Sequence, residues 1–135
     1  MASFNKFNSF VEALSEKVHN LGSDQLKVAL TNSAPVASNT QLSNITEISY
    51  TNLSTRNLTT SASSQTSGTY KLVITDLVLT ASGAVGPFRY VVIYNDTATN
   101  DELIGWYDYG SSISLANTDT LTLNFDGTNG LLQLV

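Results

Sequence analysis

A handful of side chains in this sequence have types that can do chemistry, and their spacing decides how far each goes. His19 is the single imidazole and there is no Cys, which excludes multi-His zinc sites, thiolate metal sites, disulfides and Cys nucleophiles. His19 has no evident nucleophile partner. It falls near the end of a candidate helix, where a protonated ring suits the C-terminal partial charge, so a structural role is expected. Asp96, Asp101 and Glu102 form one compact acidic cluster. Carboxylates and Asn oxygens of that kind bind calcium, but the EF-hand spacing and its glycine are missing, and a solvated hairpin loop is expected instead. Asp108 and Asp119 can in principle pair as acid and base, yet no substrate-positioning motif lies beside either. Trp106, Tyr107 and Tyr109 share one short strand segment, so Trp106 points opposite to the two tyrosines. At least one aromatic face then leaves the core, as an interface anchor or as a seal on the sandwich edge. The Asn-x-Ser/Thr triplets at Asn44, Asn52, Asn57 and Asn95 follow from composition and matter only in a secreted eukaryotic chain.

The elements that must position these residues are legible from hydrophobic period. Phe4, Phe7, Phe10, Val11, Leu14, Val18 and Leu21 recur every three or four positions, which predicts one amphipathic helix over 3–20 with Ser3 as its cap and Gly22 as its end. Three Phe residues are more aromatic area than one short helix needs for one sheet edge, so Phe4, Phe7 and Phe10 are expected to serve a neighbour as well. From Leu26 the period becomes two. Strands are expected over 26–31, 70–80, 88–95, 103–109, 120–125 and 131–135, separated by Gly, Asn and Asp turn residues. Apolar parity changes near Thr75 and Asp76, which predicts a bulge or a crossing between sheets. The segment 88–95 is apolar on both faces, as a central strand covered on each side must be. Between 32 and 69 the chain is mostly Ser, Thr and Asn, suited to a covering loop or short edge strands, with one or two helical turns at 40–48. The fold expected is mainly β: an antiparallel β-sandwich of about six or seven strands with one N-terminal amphipathic α-helix, a single domain over 1–135 divided into helix 1–21 and sandwich 22–135.

Composition bounds the function. The 135 residues include 17 Ser, 17 Thr, 13 Asn and 4 Gln against 17 charged residues, and the net charge is −5. Enough apolar residues remain for a packed interior, and disorder by composition is excluded. No apolar run approaches the roughly 20 residues that cross a bilayer, and no secretory leader pattern opens the chain, so a soluble, non-secreted protein is expected with no membrane partner. Up to Lys71 the bases exceed the acids by one; beyond it only Arg89 opposes seven carboxylates. That acidic half repels phosphate backbones, so no nucleic-acid partner is expected. Neither catalysis nor a cofactor is expected.

Several segments together resemble small virion structural proteins of tailed bacteriophages. They are the opening Met1–Leu14, 18–35 from Val18-His19-Asn20-Leu21 through Leu26 to Pro35, Asn44-Ile45-Thr46-Glu47-Ile48, Gln65-Thr66-Ser67-Gly68, Gly86-Pro87-Phe88-Arg89-Tyr90-Val91-Val92, Tyr94-Asn95-Asp96-Thr97, Leu103–Gly110 and the Asp126–Gly130 turn. The resemblance covers nearly the whole chain and departs at 49–58, where such relatives often carry a Gly-rich turn. It implies a non-enzymatic part of the particle: a capsid decoration or cement protein on the virion surface, made in the host cytoplasm, whose partners are the major capsid protein and copies of itself. A tail, neck or head-fibre component that binds a host receptor or carbohydrate is the alternative. The expected interface residues are Phe4, Phe7, Phe10, Trp106, Tyr107 and Tyr109, with the near-neutral first half facing the capsid and the 96–102 loop facing solvent.

Overall fold

The computed structural model describes residues 2–135. In chain order the elements are β1 (Asn5–Lys6), α1 (Asn8–Ser15), β2 (Leu26–Thr31), a 3-10 turn (Leu42–Asn44), β3 (Thr60–Thr66), β4 (Thr69–Ile74), β5 (Leu77–Thr80), β6 (Val85–Asn95), β7 (Leu103–Leu115), β8 (Thr120–Leu123) and β9 (Leu132–Leu134). They form antiparallel sheets of order β1-β7-β6-β2, β3-β4-β9 and β5-β8. The fold is thus mainly β with one short helix near the N-terminus, as expected. It has nine strands rather than six or seven. The additions are β1, β3 and the division of 70–80 into β4 and β5, which is the sheet crossing that the parity change at Thr75 and Asp76 predicts.

The core lies between the four-stranded sheet and the two smaller ones. Leu26, Val28 and Leu30 of β2, Val91 and Ile93 of β6 and Ile104 of β7 meet Leu72 and Ile74 of β4, Leu79 of β5, Phe125 and Leu131. A second cluster covers the opposite face of the large sheet, where Phe7 packs with Ala29, Val92, Tyr94 and Leu103 under Leu42 and Ile45. Strand β6 is buried on both faces because both clusters draw on it. The segment 48–58 closes the outer edge of β2: Ile48 N–H donates to Leu30 O, Val28 N–H to Arg56 O and Leu58 N–H to Leu26 O, at 2.9–3.0 Å. The Arg56 guanidinium stacks 3.7 Å from the Tyr50 ring and donates to Val28 O.

The helix over 3–20 is corrected. Residues 5–6 are extended and pair with Trp106 and Gly105, and α1 is only eight residues long. Ser3 is not its cap; the residue before the helix is Phe7, extended and without a side-chain cap. Residues three apart share one face of a helix but take opposite sides of a strand. Pairing with β7 therefore sends Phe4 to the inner face against Tyr107, and Phe7 to the outer face against Trp106. Gly22 does not end the helix either. Lys17 takes the left-handed conformation at φ 68°, Val18 N–H bonds Ala13 O and Lys17 N–H bonds Leu14 O, the Schellman pattern.

Candidate functional site

Strand β7 runs past the end of β1, and its inward parity brings Tyr107 and Tyr109 to the open side of the sandwich. Across from them, β8 presents Leu121 and Leu123 and leads to Phe125. Because β8 bonds only to β5, a slot is left between β7 and β8. Its volume is about 320 Å³ and its lining is Ala2, Val91, Tyr107, Tyr109, Leu121, Thr122, Leu123, Asn124 and Phe125. The Tyr107 ring lies 5.7 Å from Phe4 and 6.3 Å from Phe125, centroid to centroid, and burial together with the Asp126 charge pushes its hydroxyl up to about 12. Tyr107 is therefore a neutral wall at physiological pH. Tyr109 is 58 % exposed and forms the mouth. The slot can take apolar side chains and hydrogen-bond to phenolic hydroxyls.

The other expected interface residues have different surroundings. Phe7 and Phe10 are buried within their own chain, and Phe4 fills the space over Gly105 that a side chain there would occupy. Trp106 is half-buried with its ring centroid 4.6 Å from that of Phe7.

His19 belongs to a buried network. The Asn95 amide donates to His19 Nδ1 at 2.9 Å and to Asp24 Oδ2 at 2.7 Å, while Asn95 Oδ1 accepts from Thr97 and Ala98 N–H. Those two backbone donors fix which end of the amide faces the ring. His19 Nδ1 is therefore an acceptor, and the neutral ring carries its proton on Nε2. Burial lowers its pKa, opposed by the charges of Glu102 and Asp24. The network ties the post-helix turn to the end of β6 and the loop beyond it. Asn95 is fully buried, and Asp24 also accepts from Asn20 N–H.

Of the carboxylates singled out above, Asp108 and Asp119 have hydrogen-bond partners, whereas Glu102 Oε2 is buried without one. Asp101 N–H closes the turn onto Ala98 O, its own carbonyl accepts from Leu42 N–H, and burial and then Asp96 and Glu102 raise its carboxyl. No group of three or more metal-ligating side chains converges among the described residues. Asp108 makes a two-point pair with Arg89 at 2.8 and 3.1 Å, and this lowers its pKa. Asp119 caps the β7–β8 turn by accepting from Ala116 N–H.

Comparison with known protein families, curated proteins and solved structures returns no match to this chain. Its function must be read from its own geometry. Sequence reasoning found Tyr107 and Tyr109 from their shared parity but missed the opposite wall, Leu121, Leu123 and Phe125. The alternation of 120–125 identifies these as inward residues; nothing local tells that they face a gap rather than a neighbouring strand. Asn95, the hydrogen-bond partner of His19, carries no signal at all, being 76 residues from it.

Proposed function

We propose that this chain is a non-enzymatic virion structural protein of a tailed bacteriophage, a decoration or cement protein that binds the outside of the capsid and holds neighbouring major capsid proteins together. The supporting observation is the open aromatic slot between β7 and β8, an adhesive feature whose groups hold side chains rather than transform them. The resemblance of nearly the whole chain to phage structural proteins supplies the partner. Apart from Ala2 the slot is lined by residues 91–125, and this reading puts the capsid-facing side there rather than on the 1–31 segment expected from charge. One slot offers modest contact, and repetition over a shell multiplies it through avidity.

The alternative, a tail, neck or head-fibre component that binds a host receptor or sugar, would use an exposed Trp or Tyr as a stacking ring; Trp106 packs against Phe7, which leaves Tyr109 for that role. Copy number separates the two readings. A cement protein is present in proportion to the major capsid protein, and particles stripped of it leak DNA at lower temperature and recover on its return. Binding to stripped particles should survive high salt and fall at least tenfold for Tyr109→Ser, which alters an exposed side chain. Normal particle stability with lost adsorption to host cells would transfer the assignment to the receptor-binding reading.

A further inference from the structure

The fold protects most of its sheet edges. Chain 48–58 covers β2, and Leu53 and Ser54 cover β5 through the Leu53–Ala81 bridge and the Ser54 N–H to Thr80 O bond. Strand β7 is covered by β1 at one end; beyond it the edge bears Asp108 and turns at Gly110, φ 100°. Strands β8 and β9 are four and three residues long. Strand β3, seven residues of sequence Thr-Ser-Ala-Ser-Ser-Gln-Thr, also pairs on one side only, with β4. After one irregularity at Ser61 its register is regular from Ala62 to Thr66. It has none of the charges or prolines that natural edge strands use against association.

We infer that β3 is the self-association edge of this protein, pairing antiparallel with β3 of a second copy across a two-fold axis to make one six-stranded sheet. The turn Ser67-Gly68 has φ 51° and 84°, a two-residue type I′ hairpin, which makes Thr66 and Thr69 a hydrogen-bonded pair. By alternation Ser64 and Ala62 also bond inward to β4, so the N–H and C=O groups of Ser63 and Gln65 point out. A two-fold axis at Ser64 sets Ser63 against the partner's Gln65 and Gln65 against the partner's Ser63. Every outward group then meets its complement, as an isologous contact requires.

Charge selects a second copy as the occupant. From Ser49 to Thr75 there is no acidic residue, only Arg56 and Lys71, whereas the rest of the chain carries −7 of the net −5. Contact at this edge therefore keeps the acidic remainders of the two copies apart. Beside the edge lies a hollow of about 490 Å³ in whose mixed lining Leu14, Val18 and Tyr70 stand with Lys17, Asp24 and Ser63. This inference deepens the proposed role, in which copies associate on a surface, but is tested without capsids.

The test is sedimentation equilibrium of the full chain over a concentration series, with amide hydrogen exchange. The expected mass rises from 14.5 kDa toward twice that value, with Ser63 and Gln65 amides protected only at high concentration. Ser64→Lys sets like charges against each other across the axis, and Gln65→Pro removes an outward N–H, together with the Gln65 Oε1 acceptor of Gly68 N–H in the turn, while leaving the ladder bonds to β4. Each should raise the dissociation constant at least tenfold with an unchanged circular dichroism spectrum; should Gln65→Pro fail to fold, Ser64→Lys decides. A monomer at all concentrations, a trimer, or a dimer indifferent to Ser64→Lys would overturn the assignment. Capsid binding by a protein that stays monomeric would refute this edge and leave the virion role standing.

Discussion

Acid should loosen this protein through His19. The His19 ring accepts from an Asn95 amide whose orientation two backbone N–H groups hold, so a proton on Nδ1 would face the amide hydrogens. The folded pKa is lowered by burial, and the Glu102 and Asp24 carboxylates only partly offset that. A group whose folded pKa lies below its unfolded value of about 6.5 contributes stability that is complete above about pH 6.5 and declines as pH falls toward the folded pKa, with a limiting slope of about 1.4 kcal/mol per pH unit for one proton. Other groups act elsewhere. Asp108 and Asp126 are held low and lose their contribution only below about pH 3.9, while the raised Asp101 carboxyl works with the opposite sign. The assay is urea unfolding from pH 7.5 to 5, followed by the fluorescence of Trp106, the single tryptophan, which loses its contact with Phe7 on unfolding. His19→Gln should flatten the profile in that window, and the ring-proton NMR signal of the single His should titrate below 6.5. An unchanged slope in the variant, or a His19 titration at or above 6.5, would refute the assigned network.

Other perturbations follow from packing and backbone geometry. Phe7→Ala empties the centre of the second cluster and should destabilise by about 3–5 kcal/mol, read from the urea midpoint. Gly105→Ala places a methyl group where the Phe4 ring and Asn5 O lie, so it should destabilise the fold and speed amide exchange across β1. Lys17→Gly relieves a non-glycine residue of φ 68° and should stabilise by about 0.5–1 kcal/mol, seen as a higher thermal midpoint.

Much of the β framework is visible in the sequence because strands buried on one or both faces write their period directly. The 26–31 and 88–95 strands, the 120–125 alternation and the parity break at Thr75 all have structural counterparts. The helix was legible only in part. A spacing of three satisfies a helix and also an extended segment whose rings serve two faces, and only pairing with β7 chooses between them. Strand β3 was illegible for the opposite reason: its exposed Ser and Thr side chains have no buried face to impose a period.

The site divides in the same way. Local sequence determined that Tyr107 and Tyr109 share a side of β7 and Trp106 takes the other, since alternation along one strand needs no knowledge of neighbours. It also determined the absence of Cys and the acidic bias beyond Lys71. That the two tyrosines line an open slot was decided by tertiary structure, because the gap arises from β8 bonding to β5 and not to β7. The same holds for His19, whose tautomer is set by Asn95, 76 residues away, and whose pKa is lowered by burial that Glu102 and Asp24 only partly oppose. Period records which side a residue faces; only the packed sheets determine what stands opposite.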